Sequence, residues 1–275
     1  MDVYAHCADT VRQRDRDRYL ADLFVPQPAR RHLFALHAFD AELARLRDVV
    51  SEPGLGDIRL QWWRDAVATS DGAGHPVARA LIETMRTFAL PPAAIEMMLD
   101  ARTFDLYDDP MPSLRDLEGY AGDTVSSLLQ LAAIVLADGR DPASAAAAGH
   151  GGVAFAMAAI LRALPLHSAR GQCYLPADMV AAHGLDRETL RARRTTPELT
   201  ALLAELRSIA RAHLREAERA IAGLPRAVRL AFLPLAVIGP YLDRMDRADY
   251  EPLSRRVELA PLRRQWIIWR AARRF

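Results

Sequence analysis

Lysine and asparagine are absent from this chain of 275 residues, and cysteine occurs only twice. All 36 of its lysine-or-arginine positions are therefore arginine, and catalysis through a lysine Schiff base is excluded. Cys7 and Cys173 stand too far apart for a zinc-ligand spacing and too few for a disulfide framework, so both are expected as reduced, buried or half-buried thiols. No charge of one sign dominates: 36 basic residues meet 35 acidic ones, so no global field favours nucleic acid or a strongly acidic partner. The first twenty residues, MDVYAHCADTVRQRDRDRYL, hold no apolar core segment and contain acids, which argues against a signal or transit peptide. No apolar run reaches the roughly 18 residues that span a bilayer. These absences predict a soluble, cytoplasmic chain.

Helical periodicity fills the sequence. Leu36, Phe39, Leu43, Leu46 and Val50 recur at spacings of three and four, predicting one helix over residues 30–50. Leu202, Leu203, Leu206, Ile209, Leu214 and Ile221 repeat the pattern over 200–222. Residues 124–137 and 153–164 are apolar nearly all round and read as central helices. Sustained alternation with β-branched residues is missing, so no sheet is expected. Turns are expected at Pro26 and Pro28, Ser51–Gly56, Pro91-Pro92, Pro110-Met111-Pro112, Gly139, Gly151-Gly152 and Pro176. Ser113 followed by Asp116 carries an N-terminal capping signal. No linker is long or low-complexity enough to divide the chain, which predicts one all-α domain over 1–275 with a basic, aromatic tail at 262–275.

Three segments carry chemistry by their frame. Residues 159–176 read AILRALPLHSARGQCYLP, residues 33–48 LFALHAFDAELARLRD, and residues 59–65 RLQWWRD. Together they resemble the squalene/phytoene synthase family. In the first segment Ile160, Leu161, Arg162, Arg170, Gly171, Tyr174, Leu175 and Pro176 keep the family's frame, while Ala159 stands at its Asn and Ala163, Leu166 and His167 at its three acids. In the second, the family's Asp-Asp-x-x-Asp falls on Ala44, Arg45, Leu46, Arg47 and Asp48, and only the last acid remains. The resemblance implies an isoprenoid synthase fold, with the two motif helices facing each other across a central cavity.

It also implies what the departures mean. The family holds Mg²⁺ between two acidic helices to neutralise a leaving diphosphate, as hard oxygen ligands suit that ion. Here those ligands are replaced, and Arg45 would repel a cation, so no cofactor is expected. Phe39, Glu42, Leu43, Ala44 and Asp48, the run Ser126-Ser127-Leu128-Leu129, and Pro165, His167 and Arg170 resemble a non-catalytic branch of the family whose mitochondrial member is an assembly factor of respiratory complex I. That resemblance implies a scaffold role toward complex I subunits or assembly intermediates at the inner membrane surface. Two alternatives stay open. One is an active Mg²⁺-dependent head-to-head prenyl diphosphate synthase using displaced ligands such as Asp40 and Asp48, which share a helix face. The other is an isoprenoid-binding protein whose cavity has become less polar. Arg45, Arg47, Arg162 and Arg170 could cradle a diphosphate without metal, but solvated or ion-paired positions are the plainer expectation.

Remaining candidates are weaker. Trp62 and Trp63 are expected in the core, and Tyr120 on a helix. Asp105, Asp108 and Asp109 are expected to be solvated or capping. The eight histidines lack ligand spacing, so His167 is expected as a satisfied core or rim residue. Gly54 and Gly56 lack a dinucleotide-binding context. The tail mixes Trp266, Ile267, Ile268, Trp269 and Phe275 with five arginines, and either membrane-surface contact or packing of the Trp pair onto the domain fits it.

Overall fold

In the computed structural model the described residues are 2–50, 52–72, 74–186 and 193–275, and they contain helices and no strand. Two helices precede the segment where periodicity is first evident: α1 (Val3–Arg14), capped by the Asp2 side chain on the Tyr4 amide, and α2 (Arg16–Asp22), capped by Asp15. Then follow α3 (Gln27–Leu43), the short α4 (Leu46–Val49), α5 (Pro53–Thr69), α6 (Pro76–Thr87) and α7 (Pro92–Thr103). Proline at or near the first position of α3, α5, α6 and α7 suits a place where its missing N–H has no intrahelical partner. The helix α8 (Leu114–Ala121) begins on the expected Ser113 cap and runs through a π-helical turn, Gly122–Ser126, into α9 (Ser127–Leu136). The longest described helices are α10 (Ala145–Ala169) and α12 (Pro197–Ala222), with α11 (Ala177–Ala182) between them; beyond a short turn of helix at Arg226–Arg229 and a 3₁₀ stretch, Leu230–Val237, come α13 (Ile238–Met245) and α14 (Pro261–Ala272).

The long helix expected over 30–50 is interrupted. At Arg45 the amide bonds to Glu42 O and that of Asp48 to Arg45 O, so three-residue turns replace the α-helical ladder between α3 and α4. The expected turn at Ser51–Gly56 is also displaced. Helix α5 already starts at Pro53, and a Cβ on Gly56 would strike Leu106 at 2.4 Å, so that glycine serves packing; Ser51 lies outside the described residues.

Gly151-Gly152 is likewise helix interior, not a turn. A Cβ on Gly152 would sit 2.1 Å from Ser126 Oγ and 2.4 Å from its backbone nitrogen, so Gly152 lets α10 press directly on the π turn, while a Cβ on Gly151 would meet Leu235 at 2.7 Å. The centre of the molecule is α10 packed along α12, with α1 on α3 and α3 on α6 around it. Leu114–Leu136 and Ala145–Ala169 are, contrary to the sequence expectation, long and apolar enough to cross a membrane by length and composition; both lie in this centre with more than half of their most apolar window buried in protein.

Candidate functional site

Between these helices lies a cavity of about 470 Å³ into which both motif segments project: Ala44 and Asp48 from the α3–α4 junction, and Ala159, Arg162, Ala163 and His167 from α10. Arg170 and Tyr174, just beyond α10, line it too. Two expected members do not. Leu166 is 42% exposed and outside the lining, and Arg45 is also outside it where the helix unwinds.

The cavity is strongly polar, which overturns the expectation of a less polar chamber. Nine arginines and six carboxylates line it, and most of them come from outside the motif segments. On one side Asp40 is the hub. Arg18 of α2 donates to its Oδ2 at 2.5 Å and Arg102 of α7 to its Oδ1 at 2.8 Å, all three side chains being buried. Burial pushes the Asp40 carboxyl upward, but the two guanidiniums outweigh it and hold the group at about 2. Arg102 also donates to Asp105 Oδ2 and to the Tyr120 hydroxyl, each at 2.9 Å. The Tyr120 and Tyr174 hydroxyls in turn donate to Asp105, at 2.9 and 2.7 Å. Asp105 is thus a buried acceptor of three side chains, not the solvated acid the loop composition suggests.

On the other side Asp17 of α2 is the hub. Arg264 of α14 pairs with its Oδ1 at 2.8 Å, the Arg162 guanidinium stands 3.5 Å from Oδ2, and the Tyr241 hydroxyl donates to Oδ2 at 2.8 Å. Arg162 lies 3.5 Å over the Tyr241 ring and, with Arg264, reaches Glu258. The nearer rim carries softer pairs, Arg170 with Asp48 and Arg47 with Asp108, both partly exposed. Of the four arginines offered as a diphosphate cradle, Arg47, Arg162 and Arg170 are ion-paired.

His167 departs from its expectation as well. Its Nδ1 is buried without a hydrogen-bond partner, its ring lies 4.7 Å from that of Tyr174, and burial, aided by Arg170 and Arg256, lowers its pKa to about 4. Trp63 is core as expected, edge-on to Phe39 and to the half-buried Trp62. Sequence reasoning missed Asp17, Arg18, Arg102, Glu258 and Arg264. The Arg-x-x-Asp spacing of 102 and 105 was a usable signal, whereas nothing local announces that Arg264 meets Asp17.

The family model for squalene/phytoene synthase matches residues 11–263. The chain belongs to the squalene/phytoene synthase family. Within it, NADH dehydrogenase (ubiquinone) complex I, assembly factor 6, from Rattus norvegicus is 34% identical over 276 residues, spanning 98% of this chain and 83% of that protein. Phytoene synthase from Thermus thermophilus is 30% identical over 263 residues, spanning 92% of this chain and 86% of that protein. Among solved structures, a dehydrosqualene synthase in complex with ligand superposes with a TM-score of 0.81 at 19% identity, over 99% of this chain and 96% of that one, which establishes the all-α isoprenoid synthase fold. An assembly factor and a synthase thus both resemble this chain, the assembly factor at the higher identity and over more of this chain's length.

The Mg²⁺ that the family implies does not fit the residues present. Among the described residues no group of three or more histidines, cysteines or carboxylates is placed to hold a metal ion. Asp40, one of the displaced ligands considered above, has both oxygens taken by arginine, and Asp48 is paired with Arg170.

Proposed function

We propose that this protein supports assembly of NADH dehydrogenase as a non-catalytic member of its family. One observation carries the reading: of the four lining positions that correspond to family acids, three hold Ala44, Ala163 and His167, and the carboxylates that remain, Asp48 among them, are paired with arginines of the same chain. A diphosphate leaving group needs cationic help that grows as charge develops. Arginines already neutralised by buried carboxylates would have to give up those pairs first, at a cost of several kcal/mol each on the order expected for a broken buried pair. The similarity to assembly factor 6 over nearly the whole chain supports the role that replaces catalysis.

Deletion of the gene should lower the amount of assembled NADH dehydrogenase and leave terpenoid levels unchanged. The purified protein, incubated with farnesyl or geranylgeranyl diphosphate and Mg²⁺, should release no pyrophosphate above background. Release that disappears in Asp48→Ala would establish the synthase reading instead.

A further inference from the structure

The C-terminal helix α14 has two unlike faces. Inward, Ile268 is fully buried and Arg264 nearly so, packed on the 3₁₀ stretch Leu230–Val237 and on α2. Outward, Leu262, Trp266 and Trp269 are 80%, 53% and 45% exposed. Their spacings of four and three put them on one line along the helix, and Arg273 extends it. Residues 261–275 hold five arginines and no acid. Arg270 and Arg273 lie over the Trp266 and Trp269 rings, 5.2 and 5.0 Å from their centroids. Beside the helix runs a groove of about 600 Å³ with an apolar floor that includes Phe232, Leu235 and Ile267, and with Arg229, Arg263 and Arg274 among its lining.

We propose that this face docks on an anionic phospholipid surface, with the Leu262–Trp266–Trp269 line in the headgroup boundary and the flanking arginines on lipid phosphates. Charge selects the occupant. Four exposed arginines, Arg263, Arg270, Arg273 and Arg274, with no acid over these fifteen residues call for an anionic partner; the fifth, Arg264, is buried on Asp17. A second copy docking by the same face would set arginine against arginine across the two-fold axis. Geometry favours a lipid surface over a protein. The apolar groups form a single line about 11 Å long from Leu262 to Trp269, at 1.5 Å per residue, on the outside of one helix. A helix lying in the interface plane buries such a line, and indole rings settle at headgroup depth. Each arginine near an anionic leaflet strengthens binding about fivefold. The inference is independent of the assembly role, and it answers the question the tail sequence left open: the helix packs on the protein and still offers a face outward.

The test is co-sedimentation of the full chain with phosphatidylcholine vesicles and with vesicles in which about a third of the lipid is phosphatidylglycerol. Binding to the anionic vesicles should exceed binding to the neutral ones by at least about a hundredfold and weaken as salt is raised. Trp266→Ala with Trp269→Ala should reduce it about tenfold, and Arg270→Gln with Arg273→Gln should reduce it about thirtyfold. These side chains are exposed, so melting midpoints should stay unchanged and separate lost docking from lost folding. No sedimentation with either vesicle, equal binding to both, or binding that survives both double variants would overturn the proposal. So would a dimer of the wild-type chain that dissociates in the Trp double variant, which would give the face to a second copy.

Discussion

In the central cavity every buried arginine meets a carboxylate, Arg18 and Arg102 on Asp40 and Arg162 and Arg264 on Asp17, whereas on the outer face of α14 the arginines lie over tryptophan rings with no acid in the segment. The residue type is the same and its role is opposite. A guanidinium taken out of water needs a partner, since an uncompensated buried charge costs several kcal/mol. The cavity charges are therefore committed to one another and tie α2, α3, α7, α10 and α14 together. At the surface solvent screens the charge, and the arginine stays available to a partner from outside. The absence of lysine thus says little about function until burial is known.

The largest expected effect comes from treating the two regions as separable when they share α14. Deleting residues 262–275 removes Ile268, whose burial alone is worth about 2–5 kcal/mol, and strips Arg264 from Asp17, about 3–5 kcal/mol more. Together these approach the whole stability of an ordinary domain, about 5–15 kcal/mol. The truncated chain should fail to unfold cooperatively by circular dichroism. A stable, cooperative truncation would show that the tail is an appendage after all, and the comparison would break. Only point changes on the outward line can isolate what that face does.

Next in size is Asp40→Ala, which leaves Arg18 and Arg102 facing each other in a buried site. A loss of about 3–5 kcal/mol is expected in urea denaturation, and Asp40→Asn should lose less because the amide oxygen still accepts one of the two bonds. A neutral Asp40→Ala would mean that this carboxylate is not fixed by its partners and is free to serve as a ligand.

His167 gives a pH signature confined to the cavity. Its folded-state pKa of about 4 lies below the ordinary 6.5, so the fold prefers the neutral ring. The sign follows: this stabilisation is complete above pH 6.5, declines as pH falls through the window to 4, and changes no further below it. At 1.36 kcal/mol per pH unit the effect is at most roughly 3 kcal/mol, less in so far as solvent reaches the half-buried ring. Urea midpoints measured across that window should slope for the wild type and slope less for His167→Gln, with His32 and His75, whose pKa values burial also lowers, keeping part of the dependence. Equal slopes in both would locate the acid sensitivity elsewhere.

Much of this arrangement was readable before the structure, and the remainder was hidden for physical reasons. The stripe Leu36–Phe39–Leu43 announced α3, and the Leu202–Ile221 repeat announced α12, because period 3.6 survives any tertiary context. The alanines at 44 and 163 were visible as missing acids, and Ala159 as a missing Asn, once the frame around them matched. Hidden were the groups that replace them. RDRDRYL looks like a solvated charge run, yet Asp17 and Arg18 are buried, since their partners Arg264 and Asp40 come from distant helices. Gly151-Gly152 looks like a turn, because no sequence rule reveals that Leu235 presses against the first and Ser126 against the second. Tertiary pairing set these outcomes, and local pattern had no access to it.

The smallest expected effect sharpens the comparison from the middle ground between core and surface. Asp48 is the only family metal-motif acid left, and it pairs with Arg170 at the cavity rim, where both side chains are about a third exposed. Solvent competes for such a pair and screens it, so its worth is about 0–1 kcal/mol. Asp48→Ala should therefore move the urea midpoint little, several-fold less than Asp40→Ala, although both acids line the same cavity. Adding Arg170→Ala should cost almost nothing further, since each partner alone remains hydrated. If Asp48→Ala instead destabilised as much as Asp40→Ala, the rim would have to be as closed as the interior, and the division between committed and available charge would lie farther out than the burial of these side chains places it.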